Sequence, residues 1–197
     1  GIFSMAIGGS VRWLSPILSI PNDLPKRKGY FRIYNVTNNI PRYEKENWSL
    51  TIDGLVNQSS IVKLEDVPRF PQTTIITDFH CVTGWSVRSV EMKGVLLKDL
   101  FNTLQLNTTG QYATAYSGDQ LYFDSFTVEQ LLNEEALLVF ELDGQPLKHV
   151  QGFPCRLYHP SLYGYKSVKW LERLEFTKER KIGYWQQSGG YDVNGYL

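Results

Sequence analysis

Cys81 stands between His80 and a turn-prone stretch that reaches Gly84 and Trp85. A thiolate in such a place can act as a nucleophile or as a soft metal ligand; the bland alternative is a buried, inert cysteine. A nucleophile needs a base within reach, and His80 and His149 are the candidates. Neighbouring residues of a strand point to opposite faces, so His80 is a poor partner for Cys81 if the strand continues. No spacing indicates an acid to complete a triad. Arg156, Lys166 and Lys169 form a second group, with Ser167 between the lysines. Two or three such cations can hold a phosphate through charge-assisted hydrogen bonds, although an ordinary charged rim has the same composition. Asn35, Asn38 and Asn39 could meet the polar edge of a cofactor, or simply form turns.

The elements that must carry these residues can be read from periodicity. Thr73–Phe79 (TTIITDF) is rich in β-branched residues, reads as a strand and delivers His80 and Cys81 at its end. Gly84 marks a turn after it. Trp48, Leu50 and Ile52 alternate with polar residues up to Asp53-Gly54, a strand closed by a turn. A short strand is expected at Tyr30–Tyr34, followed by a loop over Asn35–Pro41, and a helical turn at Leu64–Val67 ended by Pro68. Gly94–Leu104 carries Leu97, Leu100, Phe101 and Leu104 at helical spacing and is expected to be one amphipathic helix. Thr127 with Gln130 fits a capping box for a helix to about Glu135. Further strands are expected at Gln111–Tyr116, Leu137–Leu142, Cys155–Tyr158 and Val168–Phe176, with Ser161–Lys166 as loop and a tail from Lys178 crossing the surface. The sum is an α+β domain of mixed β-sheets with flanking helices, in which strands and helices alternate too irregularly for a doubly wound sheet.

Composition sets the limits. The chain has 197 residues, 42% of them hydrophobic, enough for one sizeable core. Twenty basic and twenty acidic residues cancel, so nothing favours a nucleic-acid partner. Two cysteines are too few for a disulfide scaffold. Nucleotide-binding glycine motifs, HExxH and GxSxG are absent. Residues 1–29 read as an N-terminal arm or linker and 30–197 as the domain. Gly1–Ile20 is a broken apolar stretch that fits a signal or anchor remnant, or a buried arm, and lacks the length of a spanning helix. Export, membrane association and a cytoplasmic location all stay open.

One segment separates these alternatives. Asp78–Ser86 (DFHCVTGWS) closely resembles the active-site motif of the sulfite-oxidase-like, molybdopterin-binding oxidoreductases. Other segments resemble the same family in the expected order: WSLTIDGLV (48–56), GVLLKDL (94–100), ELDGQPL (141–147), GFPCRL (152–157), YGYKSVKWL (163–171), and in the tail Gly183–Trp185 and Gly190-Tyr191, as in its small single-domain members. The likeness covers roughly residues 30–191. It implies the catalytic-domain fold of sulfite oxidase and a molybdenum–molybdopterin cofactor with Cys81 as the protein ligand to the metal. It further implies that Lys166, Ser167 and Lys169 hold the phosphate end of the pterin, with Arg156 nearby, that Asn35 approaches pterin and metal, that His80 orients the ligand loop or the pterin, and that Thr83 of the motif belongs to the cofactor site.

The resemblance implies oxygen-atom transfer on a small-molecule substrate, with the metal cycling between its VI and IV states and single-electron steps resetting it. Three departures bear on which substrate. Gln151 stands where many sulfite oxidases have histidine, with His149 two residues earlier; Cys155 stands where an aliphatic residue is usual; Arg32 and Arg88 do not match the basic residues that bind sulfite. Reduction of a small S-oxide or N-oxide is therefore expected ahead of sulfite oxidation, with a non-catalytic molybdopterin-binding module as the non-enzyme alternative and a cysteine hydrolase behind both. No haem domain is fused and no extra β-sandwich accompanies the domain, so a monomer served by an external electron-transfer protein is expected.

Overall fold

The computed structural model describes residues 31–197. The expected arm over 1–29, with its apolar stretch and linker, lies outside the described residues, as does Tyr30. No helix of the described residues is long and apolar enough to cross a membrane.

Two five-stranded sheets make the framework. The first runs in the order β2 (Ser60–Lys63), β1 (Ser49–Gly54), β10 (Leu171–Thr177), β5 (Tyr112–Ser117), β6 (Phe123–Thr127), with β1 and β10 parallel and the other pairs antiparallel. The second is antiparallel: β3 (Thr73–His80), β4 (Ser86–Leu96), β7 (Leu137–Leu142) and β8 (Gln145-Pro146), with β9 (Arg156–Tyr158) also on β7. Helix α1 (Leu97–Thr103) follows β4 directly, and α2 (Tyr184–Gly189) lies in the tail. This is the expected α+β arrangement of mixed sheets with flanking helices.

The side-chain period explains where the core sits. In β1, Leu50 and Ile52 alternate inward behind Trp48, and all three are buried. β7 reads LLVFEL, without alternation, because both faces of its sheet are covered. Leu138 enters the main core with Trp48, Leu100 and Phe176, while Leu137 and Val139 enter a second cluster with Phe79, Val90 and Met92. Each such side chain contributes about 1.5–3 kcal/mol by leaving water. Cys155 sits in the main core, where burial pushes its thiol far above the usual range and leaves it inert.

Five expectations need correction. Gly94–Leu96 is the end of β4, and only Leu97–Thr103 is helical. An added Cβ at Gly94 would stand 1.8 Å from the Leu138 carbonyl oxygen, so this glycine permits close strand approach rather than starting a helix. Phe31–Tyr34 joins no sheet among the described residues. Pro68 lies inside its short 3₁₀ turn, Leu64–Arg69, where the tighter turn tolerates it. The strand expected from Val168 starts at Leu171, because Trp170 adopts a left-handed backbone, φ 50°. The capping box does form, Thr127 and Gln130 exchanging bonds of 3.0 and 3.1 Å, but it opens only a single wide turn, Glu129–Asn133.

Candidate active site

β3 and β4 pair down to His80 and Ser86, and the chain between them forms the mouth of the hairpin. Cys81 N–H donates to the Trp85 carbonyl at 2.9 Å, and Gly84 N–H to the Cys81 carbonyl at 3.0 Å. Gly84 takes φ 90°, a conformation glycine adopts without strain. His80 Nδ1 meets Ser86 Oγ at 2.8 Å and staples the last pair of the ladder. The partly exposed Cys81 thus projects from a fixed backbone, and its Sγ lies 3.1 Å from Thr83 Oγ1.

Cys81 lines a cavity of about 270 Å³. The same cavity is lined by Thr83, Asn35, Arg156, Ser167 and Lys169. Six of the eight residues singled out from sequence therefore meet in one space, although they come from four separate stretches of chain. The other two do not line it. His80 is occupied with Ser86. Lys166 is buried, and its Nζ donates to Asp124 Oδ1 at 2.8 Å, to the Ser125 carbonyl at 2.5 Å and to the Val193 carbonyl at 2.9 Å.

Arg156 is braced on the cavity wall. Its Nε and Nη2 donate to Ser167 Oγ at 3.1 and 2.9 Å, its Nη1 to the Gln151 carbonyl at 3.0 Å, and its guanidinium lies 5.8 Å from the Phe79 ring centre. Burial draws its pKa down to about 10, so it remains charged at neutral pH. Lys169 Nζ donates to the Tyr34 carbonyl at 2.9 Å and to Asn35 Oδ1, and lies 4.6 Å from the Trp170 ring. Burial first, and the Arg156 charge second, pull Lys169 down to about 7. Among the described residues no carboxylate forms an ion pair with either. Asp119 is the one carboxylate among the cavity-lining residues and acts on Lys169 only through its more distant charge, so the two adjacent cations make a place for an anion.

The aromatic walls were not found from sequence. On one side Trp85 stacks against Tyr34 at 6.5 Å and leans on Phe79 at 6.0 Å. On the other, Tyr191 lies 5.0 Å from Tyr165 and 5.8 Å from Trp185. The tyrosines lining the cavity are Tyr34, Tyr122, Tyr165 and Tyr191. The signals for them in the sequence were the 14% aromatic share and the family resemblance, which implies tyrosines around the pocket without saying which. Arg32 lines the cavity and Arg88 does not.

Comparison with known proteins identifies the class to which this arrangement belongs. The family model described as "oxidoreductase molybdopterin binding domain" matches residues 37–185. An uncharacterized oxidoreductase of Bacillus subtilis, YuiH, is 34% identical over 81% of this chain and 80% of its own length. The chain belongs to the molybdopterin-binding oxidoreductase family. It is also 28% identical to the protein-methionine-sulfoxide reductase catalytic subunit MsrP of Campylobacter jejuni, over 73% of this chain and 54% of the relative. Among solved structures, the sulfane dehydrogenase SoxCD of Paracoccus pantotrophus matches with a TM-score of 0.64 at 25% identity, over 72% of this chain and 41% of that one. The fold is that of the sulfite oxidase catalytic domain. The chain spans about half the length of MsrP and less than half of the SoxCD chain.

Proposed function

We propose that the chain is an oxygen-atom-transfer oxidoreductase that holds a molybdenum–molybdopterin group in the cavity, with Cys81 as the protein ligand to the metal. The observation that carries this reading is the placing of one free thiol and two cations that form no ion pair among the described residues, Arg156 and Lys169, on a single cavity. The donor set fits the group. Among the described residues no three His, Cys, Asp or Glu side chains gather as a metal-ligand set, so a metal here must bring most of its ligand atoms with it. A dithiolene does so, and a thiolate is a matching soft ligand. Arg156 and Lys169 would supply the counter-charge for the phosphate of the pterin, with Ser167 bracing the arginine and Asn35 the lysine.

When bound, the group supplies the two-electron redox chemistry and the site for oxygen exchange. The protein's part is to fix and to position. The hairpin mouth holds Cys81, Thr83 approaches its sulfur, and the aromatic walls shape the approach to it. The preferred reaction is reduction of a neutral S-oxide or N-oxide: substrate, two electrons and two protons give the deoxygenated product and water. An external electron-transfer protein supplies the electrons. Two observations support this reading: the aromatic walls suit an uncharged substrate, and one relative is named as a sulfoxide reductase. Sulfite oxidation is the second reading, because Arg32 could meet an anion and sulfite oxidase of Arabidopsis thaliana is 24% identical over 72% of this chain.

Protein purified from a molybdopterin-competent host tests the reading. Stoichiometric molybdenum in the native chain, with turnover of sulfoxides or N-oxides that is lost in Cys81→Ser together with the native metal spectrum, is the expected result. A serine variant with full activity and an unchanged metal spectrum overturns the ligand assignment. Metal and pterin without turnover of any donor or acceptor indicates a binding module.

A further inference from the structure

We propose that Trp85 is a positioning residue whose indole N–H donates to an electron-rich oxygen or sulfur atom of the group held at Cys81. The inference rests on the proposed function and deepens it. Buried indole N–H groups ordinarily find an acceptor. The two core tryptophans obey this: Trp48 Nε1 donates to the Leu171 carbonyl at 2.9 Å, and Trp170 Nε1 to the His149 carbonyl at 2.7 Å. Trp85 Nε1 is equally hidden and has no acceptor among the described residues.

The ring has little freedom to find an acceptor elsewhere. It is flanked by Tyr34 and Phe79, and its own carbonyl holds the Cys81 N–H at 2.9 Å. Trp85 also lines the cavity shared by Cys81, Arg156 and Lys169. A donor on a ring that lines the same cavity as the proposed metal ligand, without an acceptor among the described residues, matches a group that arrives from outside. Hydrogen bonds to the ligand atoms of a metal hold it in place and tune its reduction potential.

Two replacements separate the N–H from the ring. Trp85→Phe removes it with part of the ring. Incorporation of 3-benzothienylalanine at position 85 keeps the shape and stacking and puts sulfur in place of N–H. Thermal unfolding of the cofactor-free proteins checks that each folds, and the isostere serves if the phenylalanine variant does not. Molybdenum content after prolonged dialysis and the EPR signal of the one-electron-reduced metal are then compared with native protein. The expected result is roughly three- to tenfold faster loss of molybdenum, or a resolved change in the EPR parameters, in folded protein lacking only the N–H. Folded isostere that retains molybdenum as well as native protein, with the native EPR signal, overturns the role of Trp85 while leaving the proposed function intact. Native protein that takes up no molybdenum from a competent host removes the proposed function, and this inference with it.

Discussion

Lys169 is the residue whose chemistry can be followed without any substrate. Folded, it gives up its proton near pH 7 because burial and Arg156 both disfavour the charge; unfolded, it keeps the proton to about pH 10.4. The unfolded chain therefore binds more protons between these limits, and stability must rise with pH across that window. The cost of burying the charge is fully present below about pH 7 and fades above it. Lys169→Met should lose this slope in urea unfolding followed from pH 6 to 10, and a slope equal to that of the native protein contradicts the assignment. Anion binding has the opposite sign. A phosphate between Arg156 and Lys169 requires the ammonium, so its affinity should fall by up to about tenfold per pH unit above 7, and isothermal titration with inorganic phosphate reads this directly. The sequence placed Arg156, Ser167 and Lys169 together by spacing, but it could not tell which lysine of Lys166 and Lys169 faces the cavity. That distinction comes from Asp124, more than forty positions away, which captures Lys166.

Among the elements, the β3–β4 hairpin positions the chemistry, and its two halves differed in legibility. β3 was clear from its β-branched run. β4 was missed, because an irregularity at Ser89 shifts its buried residues from Val87 to the opposite parity at Val90 and Met92, and because it passes without a break into α1, whose helical spacing from Leu97 onward drew Gly94–Leu96 into the expected helix. The deciding fact is the approach of β7, which no local pattern contains. Gly94→Ala sets a methyl group against the Leu138 carbonyl and should open the β4–β7 ladder, at a cost of about 3 kcal/mol or more. A denaturation midpoint within error of the native protein contradicts the packing described. The aromatic walls escaped the sequence for the same reason. Tyr34, Trp85, Tyr165 and Tyr191 come from distant turns and loops and Trp185 from α2, and nothing in their spacing announces a common cavity.

The molecule as a whole is closed by its tail. Lys166 and Asp124 are almost wholly hidden from solvent. Lys166 also holds the Val193 carbonyl, Arg180 Nη1 donates to Asn194 Oδ1 at 2.7 Å, and the Tyr196 hydroxyl donates to Glu134 at 2.6 Å. Removing one member of a buried pair strands the other charge, so Lys166→Met should cost about 3–5 kcal/mol and expose the tail to protease. Replacing both members by apolar residues should recover part of that loss, and a double variant no better than the single one contradicts the pairing. The tail carries Trp185 and Tyr191 to the cavity, so this pair supports the site from a distance. The central claim, however, is the bond between Cys81 and the metal. Molybdenum X-ray absorption on the native chain and on a Cys81→Ser chain loaded under the same conditions tests it most directly. The account predicts one sulfur neighbour fewer at the metal in the serine variant; an unchanged sulfur shell in a loaded Cys81→Ser chain contradicts it.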